Sequence, residues 1–316
     1  MFKSKEELRK KSMKTQVNPY LQTTDLTCVA SSYLMALNKL IPDAFKLDSE
    51  TEMGLHDKIK FWEGGNGEYG SYPKLARHAL NLGLNVNMAL YGLKKPEFMT
   101  KDLWDKYMDN FLPILDSLKN HERFHLEERD FNVLDLINEV ENGKIPLVEI
   151  KYPTAECTHH VIVRGFTGNK IKIVNPLNGF ESYNIDDFEE KINIGYMKNF
   201  ISLSKPEGLE VKLISAGLSA SKGDSRGLCQ VIDKYDENFA EGRILVASRT
   251  DPDMTPNMIS SSGIITDQGG ILCHAAIVSR ELGIPCVVGT EKSTSLLETG
   301  DFVYLDADSG RIYLLK

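Results

Sequence analysis

The sequence predicts an α+β domain followed by a smaller α/β domain, and three observations lead to that reading. Apolar residues first recur at helical spacing and then give way to short strand-like runs joined by turns. The composition changes at Ser204-Lys205-Pro206-Glu207-Gly208. Both tryptophans lie before it, and glycines and short Val/Ile-rich runs prevail after it. A chain of 316 residues, 41% of them apolar, also exceeds the roughly 100–200 residues of one ordinary domain. The polar Pro-Gly segment suits a linker, which gives a first domain over residues 1–205 and a second over 206–316.

In chain order, the first helix is expected to open at Asp25-Leu26-Thr27-Cys28, with Asp25 or Thr27 as its cap. Val29, Ala30, Tyr33, Leu34, Leu37 and Leu40 follow at helical spacing, so Cys28 belongs in the first turn. Tyr72-Pro73-Lys74-Leu75 begins a second helix that ends at Gly83, and Val86, Met88 and Leu90 alternate as in a strand. Residues 101–143 read as mainly helical and charged. Strands are expected at Pro146–Ile150, His160–Val163 and Lys170–Val174, the last two joined by a hairpin turn at Phe166-Thr167-Gly168-Asn169. In the second domain, strands are expected at Gly242–Ala247, Gly263–Thr266, Pro285–Val288, Phe302–Leu305 and Arg311–Leu314. Helices fall near Asn257 and from His274 to Leu282.

The formal charge of −8 supplies no electrostatic footprint for nucleic acid. Lys3, Lys5, Arg9, Lys10, Lys11 and Lys14 mix with Glu6 and Glu7, the pattern of a solvated helix. No apolar run approaches the ~20 residues of a membrane span, and no secretory signal stands near Met1. Cys28, Cys157, Cys229, Cys273 and Cys286 are odd in number and lack C-x-x-C spacing, which argues against disulfides and zinc ribbons. His56, His78, His121 and His125 have no partners at ligand spacing, so no metal is expected. A cytoplasmic location follows from these readings.

The densest segment runs from Ile264 to Pro285. A buried strand meets Gly269-Gly270, and a helix of small residues starts at His274. A helix N-terminus offers free N–H groups and a favourable dipole to an anion, so a phosphoryl group on His274 would be well placed. Ala275 and Ala276 leave room around the ring. Arg249 and Arg280 suit surface salt bridges, and Cys273 suits a small packed thiol. The stretch resembles the phosphohistidine swivelling (mobile) domain of the phosphoenolpyruvate-utilising enzymes, which include pyruvate phosphate dikinase, phosphoenolpyruvate synthase and rifampicin phosphotransferase. The resemblance runs from about Glu210 to the C-terminus. It takes in Gly217-Leu218-Ser219-Ala220-Ser221-Lys222-Gly223, Thr250-Asp251-Pro252-Asp253, Gly300-Asp301 and Asp306-Ala307-Asp308-Ser309-Gly310. Leu272 stands where many members have Thr, and Cys273 where they usually have Ser; neither change removes the ring. The resemblance implies that His274 carries phosphate.

In the first domain, Gln22 precedes Cys28 by six residues, and His159 precedes Asn175 by sixteen, with Pro176 next. A thiol nucleophile needs a base, a group orienting that base and an oxyanion donor. Cys28 at a helix start, His159, Asn175 and Gln22 can take those roles in turn. The order Gln, Cys, His, Asn resembles papain-like cysteine peptidases, above all the bacterial family that trims double-glycine leaders from bacteriocin precursors. The family's spacings select His159 over His160, since neighbouring strand residues face opposite sides. Thr27-Cys28-Val29 replaces the family's Asp-Cys-Gly, and Cys157 reads as packing. The resemblance covers roughly residues 15–204. It implies a papain-like α+β fold whose thiol performs hydrolysis or acyl transfer.

Together these features suggest a phosphohistidine carrier in a multi-component phosphotransfer system, fused to a cysteine-dependent domain and suited to specialised metabolism. No P-loop is present. The chain is therefore expected to bind no cofactor itself. Phosphate would come from ATP or phosphoenolpyruvate through a separate ATP-binding or phosphoenolpyruvate-binding protein, and the substrate would be a small molecule or peptide. The alternatives are a cytoplasmic cysteine peptidase with a docking or regulatory C-terminal domain, and a non-catalytic binding protein.

Overall fold

The computed structural model describes residues 12–24, 27–60, 71–93, 95, 100–151, 158–193 and 198–316. They form two compact units, Met1–Pro206 and Glu207–Lys316. Asp25, Cys157 and the basic segment before Ser12 lie outside the described residues.

In the first unit, strand β1 (Ser12–Lys14) precedes helices α1 (Cys28–Leu40), α2 (Ser49–Ile59) and α3 (Tyr72–Asn81). Then come β2 (Asn85–Tyr91), α4 (Lys101–Leu118), β3 (Phe124–Glu127), α5 (Val133–Glu141) and β4 (Ile145–Lys151). The unit finishes with β5 (Thr158–Thr167), β6 (Lys170–Asn175), β7 (Gly179–Asn184), α6 (Ile185–Ile192) and β8 (Lys198–Ser204). The strands lie in the order β3-β2-β8-β4-β5-β6-β7, with β1 also on β5, and only β2 and β3 pair in parallel. An antiparallel sheet with helices packed on it is the α+β layout expected from the sequence.

Helix α1 is apolar on nearly every side, and all its residues from Val29 to Leu37 are buried, as suits a helix enclosed by the core. Its cap differs from expectation: the Thr27 side chain makes no capping bond to the helix. The Thr27 hydroxyl donates instead to the Thr24 carbonyl at 3.0 Å, a local turn competing with the helix end. On the other face of the sheet, Val161 and Val163 of β5 and Ile171 and Ile173 of β6 pack with Leu136 and Ile137 of α5 and Phe188 of α6. The predicted helical stretch 101–143 is interrupted by β3, whose Phe124 is buried. Gly168 and Asn169 form the β5–β6 turn, with Gly168 at φ +56°, so Phe166 and Thr167 belong to the strand.

The second unit starts with β9 (Val211–Ala216), β10 (Leu218–Ser221), β11 (Asp224–Val231) and β12 (Ile244–Ala247). It continues with α7 (Thr255–Ser260), β13 (Gly263–Thr266), α8 (His274–Leu282), β14 (Cys286–Val288), α9 (Ser293–Leu296), β15 (Phe302–Asp306) and β16 (Arg311–Leu315). The strand order is β10-β14-β13-β12-β11-β15-β16-β9, and β11 to β14 pair in parallel. Ile244, Leu245, Val246 and Ala247 of β12 are all fully buried, because both faces of the sheet are covered. Leu245 and Ala247 pack with Ala275 and Ala276 of α8, while Ile244 and Val246 pack with Leu297 and Val303. Sequence reasoning missed β9, β10 and β11, whose exposed and polar residues break up the apolar runs.

Candidate functional site

In the first unit the helix packed on β5 brings a thiol next to a histidine. Cys28 is the first residue of α1 and is half-buried, and its Sγ lies 3.7 Å from Nδ1 of His160. The Ser32 hydroxyl of α1 donates to the His160 carbonyl at 3.1 Å, which fixes helix against strand. Val161 and Val163 face α5 and α6, so alternation along β5 turns His160 and Ile162 toward α1. His159 is the preceding residue of β5. Its Nε2 lies 2.8 Å from Oδ1 of Asn175 on the opposite face.

Asn175 is itself held in one orientation. Its Nδ2 donates to Glu181 at 3.1 Å and its Oδ1 accepts from the Leu177 N–H at 2.9 Å. The Oδ1 can then only accept from His159, so Nε2 of His159 carries the proton. Burial lowers the His159 pKa, against the Asn175 bond and the nearby Glu181 charge, which raise it.

Around Cys28 and His160 stands a buried polar cluster. Glu149 of β4 is the direct cross-strand partner of His160 and takes hydrogen bonds from the Thr158 hydroxyl and from Asn199 Nδ2 at 3.5 Å. Burial outweighs both bonds and pushes the Glu149 carboxyl up to about 7. Burial, with His159 beside it, pushes the His160 imidazole down to about 3, so it is neutral at physiological pH. The Tyr72 ring meets the His160 ring edge-on, centroids 5.4 Å apart.

Gln22 is anchored near the start of α1. Its Nε2 donates to the Thr24 carbonyl at 2.7 Å, and its backbone N–H donates to Pro176 at 2.9 Å. Glu52 ties down the same segment. Its buried carboxylate accepts from the Thr23 N–H at 3.0 Å, from the Tyr20 hydroxyl at 3.0 Å and from the hydroxyls of Thr23 and Ser31. Burial pushes this carboxyl up, but the bonds from Ser31, Thr23 and Thr27 outweigh it and leave the pKa lowered.

The second unit builds its site on a strand, a turn and a helix. After β13, Asp267 accepts from Thr290 Oγ1 at 3.1 Å, from the Thr294 N–H at 3.2 Å and from the Thr294 hydroxyl. The chain turns at Gly269, φ +121°, where a Cβ would stand 2.7 Å from Cys273 Sγ. Glycine is required there by conformation and by space. The Cβ direction of Gly270 is open. His274 is the first residue of α8 and is half-buried, and no side chain caps this helix. Uncapped first-turn N–H groups at a helix start favour a nearby anion. From the loop after β12, Thr250 Oγ1 lies 2.9 Å from His274 Nδ1. Next to it, the Asp251 side chain accepts from the N–H groups of Asp253 and Met254 and holds the loop. Arg280 forms no salt bridge among the described residues; it donates to the carbonyls of Ala220 at 3.2 Å and Ile271 at 2.9 Å. Arg249 is exposed and forms no ion pair among the described residues.

Residues 239–310 match the family model "PEP-utilising enzyme, mobile domain". The second unit carries this mobile domain. A probable phosphoenolpyruvate synthase of Archaeoglobus fulgidus is 47% identical over 109 residues, 34% of this chain and 14% of that protein. The phosphoenolpyruvate synthase of Pyrococcus furiosus is 49% identical over 106 residues, 33% of this chain and 13% of that protein. The aligned part is thus a small fraction of these relatives. Among solved structures, a C39-like peptidase from Bacillus anthracis matches with 14% identity over 62% of this chain and 98% of its own, at a TM-score of 0.38.

The matched mobile-domain segment includes Thr250, Gly269, Gly270 and His274. The sequence singled out the glycines and the histidine and quoted Thr250 only as part of a motif; its contact with the ring is visible only in three dimensions. In the first unit Tyr72, Glu149 and Glu181 went unnoticed, because no local pattern links them to Cys28 or Asn175.

Proposed function

We propose that the chain is a phosphoryl carrier charged on Nε2 of His274. The observation that carries this reading is the contact between Thr250 Oγ1 and Nδ1 at the uncapped start of α8. With Nδ1–H donating to the threonine hydroxyl, Nε2 keeps its lone pair and meets no other hydrogen-bonding group among the described residues. Nε2 attacks the phosphorus of the donor, the N–P bond forms, and the P–O bond to the leaving group breaks with its electron pair on oxygen. An acceptor oxygen later attacks the same phosphorus, and the N–P pair returns to Nε2. The donor is ATP or phosphoenolpyruvate held by a separate protein, which suits a multi-component pathway.

The thiol half is proposed to act by acyl chemistry, by hydrolysis or transfer, through Cys28 and His160. The 3.7 Å contact supports this role, since Nδ1 lies where it can take the thiol proton. A peptide or a small carboxyl-derived molecule fits such a site.

Phosphoramidate, a small chemical donor, tests the nitrogen directly. After treatment of the ¹⁵N-labelled chain, phosphorus–nitrogen correlation NMR should find phosphate on Nε2 of His274. Thr250→Val should slow the reaction about tenfold, the worth of one hydrogen bond of about 1.4 kcal/mol. Attachment at Nδ1, or failure to modify His274, would contradict the reading.

A further inference from the structure

Tyr72 holds a buried hydroxyl that no described residue satisfies. The residue is 4% exposed, and its oxygen has no hydrogen-bond partner among the described residues. It begins α3, whose start is fixed by Pro73 and by the Ser71 side chain accepting from Lys74 N. Its ring packs edge-on against the His160 ring, whose Nδ1 faces Cys28 Sγ. Tyrosine and thiol therefore flank one imidazole. Buried hydroxyls without a partner are costly, and a ligand oxygen is a natural completion. Burial, followed by the charges of Glu149 and Cys28, pushes the Tyr72 ionisation well above the usual tyrosine range, so the group stays a donor. The Gln22 amide, the donor expected from sequence, is turned to the Thr24 carbonyl.

We propose that Tyr72 is a catalytic residue of the Cys28 site, donating its hydroxyl hydrogen to the carbonyl oxygen of the acyl group that Cys28 attacks. The proposal rests on the acyl-chemistry reading of Cys28. The thiol proton passes to Nδ1 of His160 as the sulfur pair forms a C–S bond to the carbonyl carbon. The π pair moves onto oxygen, where the Tyr72 O–H stabilises it. When that pair returns, the bond to the leaving group breaks. An amine leaves with the proton from His160, an aryl ester leaves as phenolate, and a thioester remains on Cys28.

Two reagents separate this role from mere packing. 4-Nitrophenyl acetate is attacked at its carbonyl and develops an oxyanion, whereas iodoacetamide is attacked at its methylene carbon and develops none. In the full chain, Tyr72→Phe should slow acylation of Cys28 by the ester about 10²–10³-fold, the usual effect of losing one oxyanion donor. Alkylation by iodoacetamide should keep its wild-type rate, which also reports an intact fold. Equal losses with both reagents, or no loss with the ester, would overturn the assignment. If His160→Ala leaves the wild-type alkylation rate unchanged, the acyl reading itself fails, and the role of Tyr72 falls with it.

Discussion

Two adjacent histidines in β5 serve opposite faces of one sheet. His160 meets Cys28, and His159 meets Asn175. The residue types for thiol chemistry were legible in the sequence, as was the His159–Asn175 pairing at a separation of sixteen. The contact of His160 with the thiol was not legible, because it follows from the packing of α1 on β5. Glu149 was invisible for a related reason: its significance comes from cross-strand register with His160. That register leads to a pH effect. The folded pKa of Glu149, about 7, is raised above its unfolded value, so its contribution to stability is fully present below the unfolded value and is lost as pH rises through 7. Glu149→Gln should therefore gain stability relative to wild type as pH rises from about 5 to 8. Paired thermal melts would check this, and a difference independent of pH would count against a buried protonated carboxyl. The depressed His160 acts in the opposite sense, with stability present above its unfolded pKa and lost as pH falls toward 3. It is common to both proteins, so its effect largely cancels in the comparison.

At the scale of elements, the turn between β13 and α8 is the most demanding segment. Its two glycines look equivalent in sequence and differ in structure: Gly269 is at φ +121° with the Cys273 thiol against it, and Gly270 has open space. Gly269→Ala should cost about 1–3 kcal/mol, the range for a strained backbone position, while Gly270→Ala should stay within about 0.5 kcal/mol. Urea midpoints would read the contrast, and equal costs would mean that the turn is held differently. Helix α8 was bounded correctly from sequence because its small-residue run and Gly283 are local signals; Gly283 takes φ +65° as a left-handed cap. Strand β3 was lost within a charged region taken as helix, since its Phe-His-Leu-Glu is too short to show a period. Strands β9 to β11 were missed because their exposed and half-buried positions carry Lys, Ser, Arg and Gly, and their antiparallel partners, β16, β14 and β15, lie more than sixty residues downstream.

At the scale of the molecule, two compact units each enclose their own buried clusters and present their own chemistry. The thiol–imidazole pair is built wholly in the first, and the Thr250–His274 pair wholly in the second. No helix among the described residues is long and apolar enough to cross a membrane. In the proposed reading His274 takes its phosphoryl group from a donor on another protein, so that two reactions use one group in separate dry sites. The direct measurement is intact mass at alkaline pH after incubation with ATP or phosphoenolpyruvate. A phosphoenolpyruvate synthase disabled in its own matching segment would serve as the partner. The expected result is one acid-labile phosphoryl group, retained in Cys28→Ser and lost in His274→Ala. A phosphoryl group that persists in His274→Ala, or none with either donor, would contradict the assignment of His274 as the carrier.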